Sequence, residues 1–323
     1  MLVENKTLPR TWFADQRNRA RRNLDKIILI PLFVIPGIVL FCTFVLMPVA
    51  QSVRYSLYPR WDGFGAPTLE EGDHYDDNYT KMFEDKRFQT ALKNTSLLML
   101  LSLGAQLPIA MILALLVGRG DLPGRAFFRG LLFIPYVFSE VIAAIIWQYV
   151  LRVRGEEGSG PANQLLQLFV PGASPIDWLG DKQFVMYAVF AVLTWKYFGF
   201  YMILYMAGLQ SVSKDLEEAA RVDGANWLQV ITRITLPLIG NTIRLTVFLS
   251  ILGSFQQIVI VQVLTRGGNP FNSGHVITTY LYKFGFKSLN MGYGSAVAVV
   301  LAAMCLLFSI GYQRIIMGRD YEM

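Results

Sequence analysis

The chain has 323 residues, 54% hydrophobic and only 16% charged, with a mean hydropathy of +0.41; a soluble domain carries about 25% charged residues. Its net charge of +6 does not describe a nucleic-acid binder, because the basic residues sit near the ends of apolar runs and form no groove-binding face. Cys42 and Cys305 lie inside those runs and imply no disulfide framework, and His74 and His275 have no Cys or His at ligand spacing, so no metal site is expected.

A basic tail, residues 1–26, contains Arg17, Arg19, Arg21, Arg22 and Lys26. It resembles the start of a secretory signal, but the apolar run behind it is too long for a cleaved peptide and reads as a retained first helix. Six runs long enough to cross a ~30 Å hydrocarbon layer as helices follow, at about 27–52, 95–118, 130–151, 184–209, 236–264 and 292–315. The expected class is an all-α membrane protein, with a six-helix domain over 27–316. Seven Lys and Arg residues in the tail place both termini, including the last segment 317–323, in the cytoplasm.

That orientation makes 53–94, 152–183 and 265–291 outer loops. The first mixes aromatic and charged residues and is expected to form short helices. The last begins with Gly267, Gly268 and Pro270 and continues through Tyr280, Tyr282, Phe284 and Phe286, as a surface for another protein or an interfacial aromatic belt would.

The cytoplasmic loop 211–235 is the most informative segment. Ser213 is a fair N-cap, and Asp215, Glu217 and Glu218 suit a helix start. Ala219 and Ala220 keep that helix thin, and Gly224 can take the left-handed conformation that ends it before a second short helix runs to Pro237. The result is a helix–turn–helix knob able to enter a cleft on a partner. Glu218-Ala219-Ala220, Gly224 four residues on, and Ile234-Thr235-Leu236-Pro237 together resemble the E-A-A…G…I-x-L-P loop of binding-protein-dependent importer permeases. The likeness extends from Leu131–Tyr136 to Asn290–Ala296 and is greatest to the sugar-type branch that includes maltose and glycerol-3-phosphate permeases.

The resemblance implies a type I importer permease fold in a bacterial inner membrane. It makes Glu218, Ala219, Ala220 and Gly224 the contacts of a coupling helix that docks on a cytoplasmic ATPase. The implied partners are a second homologous permease, two ATPase subunits, an extracytoplasmic solute-binding protein and a carbohydrate solute. This chain has no Walker-type phosphate loop, so ATP and magnesium would belong to the ATPase, and the chain itself is expected to need no cofactor and to catalyse nothing. A secondary transporter or channel, and a membrane-embedded transferase, are the alternatives; neither accounts for the loop.

Polar groups inside membrane spans are costly and usually face a bundle interior. Glu140, Lys196 and Ser250 fall near the middles of spans three, four and five, where transporters commonly hold solute. Ser250, Ser254 and Gln257 share one face of span five, Tyr136 and Glu140 one of span three, and Thr194, Tyr197 and Tyr201 one of span four. Rings beside hydroxyl, amide and carboxylate groups suit sugars. The resemblance also puts the family's sugar contacts at or near Tyr136, Glu140, Thr194, Lys196, Tyr197, Ser250 and Ser254. Lys196, with Arg244 towards the cytoplasm, suggests an acidic sugar such as a uronic-acid oligosaccharide. The alternatives are a Glu140–Lys196 ion pair, serines that only pack, and an Arg244 that snorkels to the interface.

Overall fold

The computed structural model describes residues 31–119, 123–153 and 159–317, so the tail 1–26 and positions 318–323 lie outside it. All regular structure among the described residues is helical. Contacts divide the chain into two units, 1–54 and 55–323. In the first, the described residues are helical and belong to α1 (Pro31–Tyr55), which runs one residue into the second unit. It is apolar along its length, with Phe33, Phe41 and Phe44 among its residues, and has the length and hydropathy of a membrane span.

The second unit contains α2 (Asp77–Glu84), α3 (Lys86–Gly118), α4 (Arg125–Val137), α5 (Glu140–Val150), α6 (Pro161–Phe169) and α7 (Val185–Gln210). After these come α8 (Lys214–Val222), α9 (Trp227–Leu238), α10 (Gly240–Gln256), α11 (Val259–Leu264), α12 (Ile277–Leu281) and α13 (Met291–Met317). Among the described residues, α1, α3, α7 and α13 are long and apolar enough to cross a membrane. The pairs α4–α5 and α9–α10 bend by 97° and 72°, which gives four candidate crossings, or up to six if each pair is one span.

The runs expected to be the third and fifth spans are therefore bent helix pairs, not single straight helices. Pro135 has no N–H to give to the preceding turn, and Phe138 and Ser139 leave the helix with ψ of 146° and 142°. In the fifth, Ile239 departs from helical geometry after Pro237, and Gln257 turns extended at ψ 118°, detaching α11 from α10. The second span starts early, at Lys86, because the Asp85 carboxylate caps it by accepting the Arg87 N–H.

Helix α7 is the hub, with buried residues along its length. Its first half packs in one apolar cluster with Leu98, Ala144, Ile260 and Val261; its second half packs in another with Leu107, Ala110, Ala114 and Ile239. Small residues set the helix spacing. A Cβ on Gly199 would stand 2.3 Å from the Leu132 carbonyl oxygen, and one on Gly208 2.5 Å from Thr242 Oγ1, so backbones come close only because those side chains are missing.

The segment 265–291 is tied inward rather than left as a free aromatic surface. Asn94 on α3 donates to the carbonyls of Ser273 (2.6 Å) and His275 (2.8 Å), and the Tyr280 hydroxyl donates to Asp85 (2.9 Å). Tyr280 is fully buried, while Tyr282 and Phe286 stay exposed.

His275 is also fully buried; its Nδ1 lies 3.2 Å from Thr279 Oγ1. Burial first, then the Lys283 and Arg87 charges, push its pKa from 6.5 down to about 4. The folded chain thus holds His275 neutral where the unfolded chain protonates it. Its contribution to stability is complete above pH 6.5 and is lost as pH falls from 6.5 towards about 4. The melting temperature of the purified protein should fall through that window, and fall less steeply in His275→Gln. Equal slopes would contradict the burial of this ring.

Candidate functional site

A cavity of about 140 Å³ opens between the two apolar clusters, where α3, α7 and α10 meet. Its polar lining comes from Ser102 and Gln106 on α3, Tyr197 and Tyr201 on α7, and Ser250, Ser254 and Gln257 on or just beyond α10, with Phe190, Leu193 and Gly253 between them. Among the described residues, no Asp, Glu, Lys or Arg lines it.

The α3 wall owes its form to Pro108. That residue cannot donate to the carbonyl of Gly104, and the helix widens over Ser102–Gln106 so that the Leu107 N–H reaches back to the Ser102 carbonyl. The widened turn carries both polar residues. Ser102 lies 2.8 Å from Ser250 Oγ and donates to Gln106 Oε1, while Gln106 donates to the Leu193 carbonyl at 3.3 Å. Ser254 returns its hydroxyl to the Ser250 carbonyl at 2.9 Å. Rings on one side and hydroxyl and amide groups on the other form a surface suited to a neutral, hydroxyl-rich molecule.

Of the residues singled out from the sequence, Tyr197, Ser250, Ser254 and Gln257 meet at this cavity. Tyr136 and Glu140 stand behind it: the Tyr197 hydroxyl donates to Glu140 Oε1 at 2.6 Å, and the Tyr136 ring stacks on Phe200 with centroids 5.0 Å apart. Thr194 Oγ1 is buried without a hydrogen-bond partner. Sequence reasoning missed Ser102 and Gln106. The available signal was a pair of polar residues at i, i+4 beside a proline inside an apolar run.

Lys196 does not line the cavity. It is 3% exposed, and its ammonium donates to the carbonyls of Tyr136 at 3.0 Å and Phe138 at 2.5 Å, with that of Pro135 at 3.5 Å. These carbonyls close α4, where the helix break removes their N–H partners. Glu140 sits in the first turn of α5. Each charge thus answers a helix end of opposite partial charge, and the two residues form no ion pair. The rings of Tyr136 and Tyr197 flank the ammonium, each 5.6 Å away. Arg244 also serves a helix end, donating to the Ile316 carbonyl near the end of α13 at 3.2 Å.

The loop 211–235 forms the knob its sequence describes. Ser213 accepts the Asp215 N–H, Gly224 turns the chain with φ +88°, and Asn226 and Gln229 cap α9 reciprocally at 2.9 and 2.8 Å. Glu218, Ala219 and Gly224 are exposed, whereas Ala220 is half-buried. Nothing lies within 4 Å of a Cβ placed on Gly224, so the glycine answers a backbone requirement and no lack of space. Among the described residues, no group of three His, Cys, Asp or Glu side chains is placed to hold a metal.

A polar cavity inside a helical bundle with long apolar helices, together with an exposed helix–turn–helix, fits a membrane transport subunit. Residues 106–317 match the binding-protein-dependent transport system inner membrane component family, and the chain belongs to that family. It is 30% identical over 300 residues to the diacetylchitobiose uptake system permease protein of Streptomyces coelicolor, covering 90% of this chain and 83% of that one. It is 32% identical over 233 residues to the arabinooligosaccharides transport system permease protein of Bacillus subtilis, covering 72% of each. A chain in the crystal structure of a bacterial ABC transporter that imports the acidic polysaccharide alginate superposes with a TM-score of 0.74 at 25% identity, over 92% of this chain and 99% of that one. A chain of the bacterial alginate ABC transporter in complex with its alginate pentasaccharide-bound periplasmic protein gives 0.75 at 24% identity, over 91% and 96%.

The geometry of Lys196 predicts a structural phenotype. Lys196→Met removes charge-assisted hydrogen bonds from carbonyls that have no water to replace them. The purified protein should melt at lower temperature, by an amount equivalent to about 2–4 kcal/mol, and uptake of neutral and acidic solutes should fall together. A normal melting temperature with loss of acidic solute alone would instead make the ammonium a solute contact.

Proposed function

We infer that this permease subunit passes an oligosaccharide through the α3–α7–α10 cavity during ATP-driven import. One observation carries the reading: a mid-bundle cavity walled by rings, hydroxyls and amides, without an ionised group in its lining. The sugar-transporting relatives support it. Each bent pair makes one crossing in this reading, giving six spans with both termini and the knob on the cytoplasmic side of a bacterial inner membrane. The knob receives the movement of one of two ATPase subunits, which bind ATP and magnesium. A second, homologous permease completes the path, and an extracytoplasmic binding protein delivers solute. The chain itself makes and breaks no covalent bond.

An acidic oligosaccharide is a second reading, favoured by the likeness to the alginate importer. Uptake by the reconstituted complex, with the cognate binding protein loaded with neutral or uronic-acid oligosaccharides of equal length, decides between them. Preference for the uronic-acid chain would place charge recognition outside the neutral cavity.

Gly253 offers a test of the cavity that spares the fold. It lies within α10, and nothing stands within 4 Å of a Cβ built there. Gly253→Leu should fill the cavity and cut uptake at least about tenfold, while helix propensity holds or slightly raises the melting temperature. Undiminished uptake would move the solute path elsewhere. The knob has its own test. Gly224→Val forces a β-branched residue to φ +88° and should abolish coupled transport while leaving membrane insertion intact. Normal uptake and ATPase stimulation would remove the docking assignment.

A further inference from the structure

Helix α8 has no buried residue; of its nine, only Glu217 and Ala220 are partly covered. Three apart, they share the face turned towards the rest of the bundle. The apolar surface that usually fastens one helix to another is missing, so the fastening falls to Glu217. Its carboxylate pairs with the guanidinium of Arg119, the residue that ends α3. The same guanidinium donates through Nη2 to the carbonyl of Leu209 at 2.7 Å, in the last turn of α7, and to that of Val212 at 2.9 Å, in the link to α8. Glu217 Oε1 also accepts the hydroxyl of Thr235 at 2.8 Å, from the widened turn of α9. The ends of four helices converge on one ion pair whose side chains are only 20% and 13% exposed.

The chemistry suits a stiff joint. Leu209 lies among the last carbonyls of α7, which have no N–H partner within the helix, and a cation there meets the negative end of the helix dipole. A planar guanidinium can hold two carbonyls and a carboxylate at once; a lysine presents a single point charge. A partly buried pair holds its geometry while both charges are present, whereas loss of one leaves the other uncompensated. Both helices at the joint continue to the cavity: α3 carries Ser102 and Gln106, and α7 carries Tyr197 and Tyr201.

We propose that the Arg119–Glu217 pair is a positioning strut that passes displacement of α8 to α3 and α7, and so sets how tightly movement at the knob is coupled to the walls of the cavity. Neither residue belongs to the E-A-A…G signature. The proposal rests on the coupling role of loop 211–235 given above.

The test uses the whole complex, with its sister permease, ATPase and binding protein, reconstituted in vesicles with solute uptake and ATP hydrolysis measured on the same preparation. Glu217→Gln and Arg119→Gln should each retain the ATPase on purification but lower solute moved per ATP about tenfold. The double variant should be no worse than the poorer single, because the two act through one interaction. Arg119→Lys, which keeps the charge and loses the fork, should fall between. Wild-type coupling in both singles would overturn the strut, as would losses that multiply in the double. Loss of the ATPase from Glu217→Gln would make that residue a docking contact instead. If the singles fail to insert, the neutral double, which leaves no unpaired charge, decides: insertion with poor coupling supports the strut, and failure to insert makes the pair merely structural. A wild-type chain that recruits no ATPase at all would sink the coupling reading itself, an outcome distinct from all of these.

Discussion

In a hydrocarbon layer, a backbone carbonyl that leaves the helical ladder has no water to turn to. This chain leaves the ladder between α4 and α5, where Pro135 and two extended residues turn the path by 97°. The break is tenable because Lys196, on the neighbouring α7, brings an ammonium to the orphaned carbonyls. Glu140 then occupies the first turn of α5 and takes the Tyr197 hydroxyl. The placement of α4 and α5 on α7, and of the rings of Tyr136 and Tyr197, follows from that interaction. A charge that reads as a solute ligand in sequence hydrogen-bonds backbone carbonyls in the fold.

The same economy recurs along the bundle. Pro108 opens α3 by one wide turn and exposes Ser102 and Gln106 to the cavity. Arg244 reaches the end of α13, and Arg119 reaches the end of α7. Lys196, Arg244 and Arg119 thus each serve a helix end, and none of the three lines the cavity. The rings and hydroxyls of the lining form a surface suited to molecules with apolar faces and many hydroxyls.

Much of the fold is legible in the sequence because hydrophobicity and capping are local. The six apolar runs coincide with the long helices and bent pairs, and Ser213, Gly224 and Asn226 mark the limits of the knob by chemistry that acts within four residues. The face formed by Ser250, Ser254 and Gln257 is likewise a matter of helical spacing, and it does line the cavity. Less visible is where each run bends. Pro135 and Pro237 announce weak points, but a proline can also be accommodated in a straight membrane helix by its neighbours.

What the sequence by itself determined is the class of protein, its apolar segments, the exposed helix–turn–helix knob and the polar faces available for a site. What only the tertiary structure decided is which groups those polar faces meet. Lys196 finds its carbonyl partners some sixty positions earlier in the chain, Ser102 meets Ser250 at a separation of 148, and Arg119 joins Glu217 across the ends of four helices. Helical periodicity places a side chain on a face but does not say which neighbour packs there. That choice belongs to helix packing, which here is set by close approach at Gly199 and Gly208 and by the need to satisfy every broken backbone hydrogen bond within the bundle.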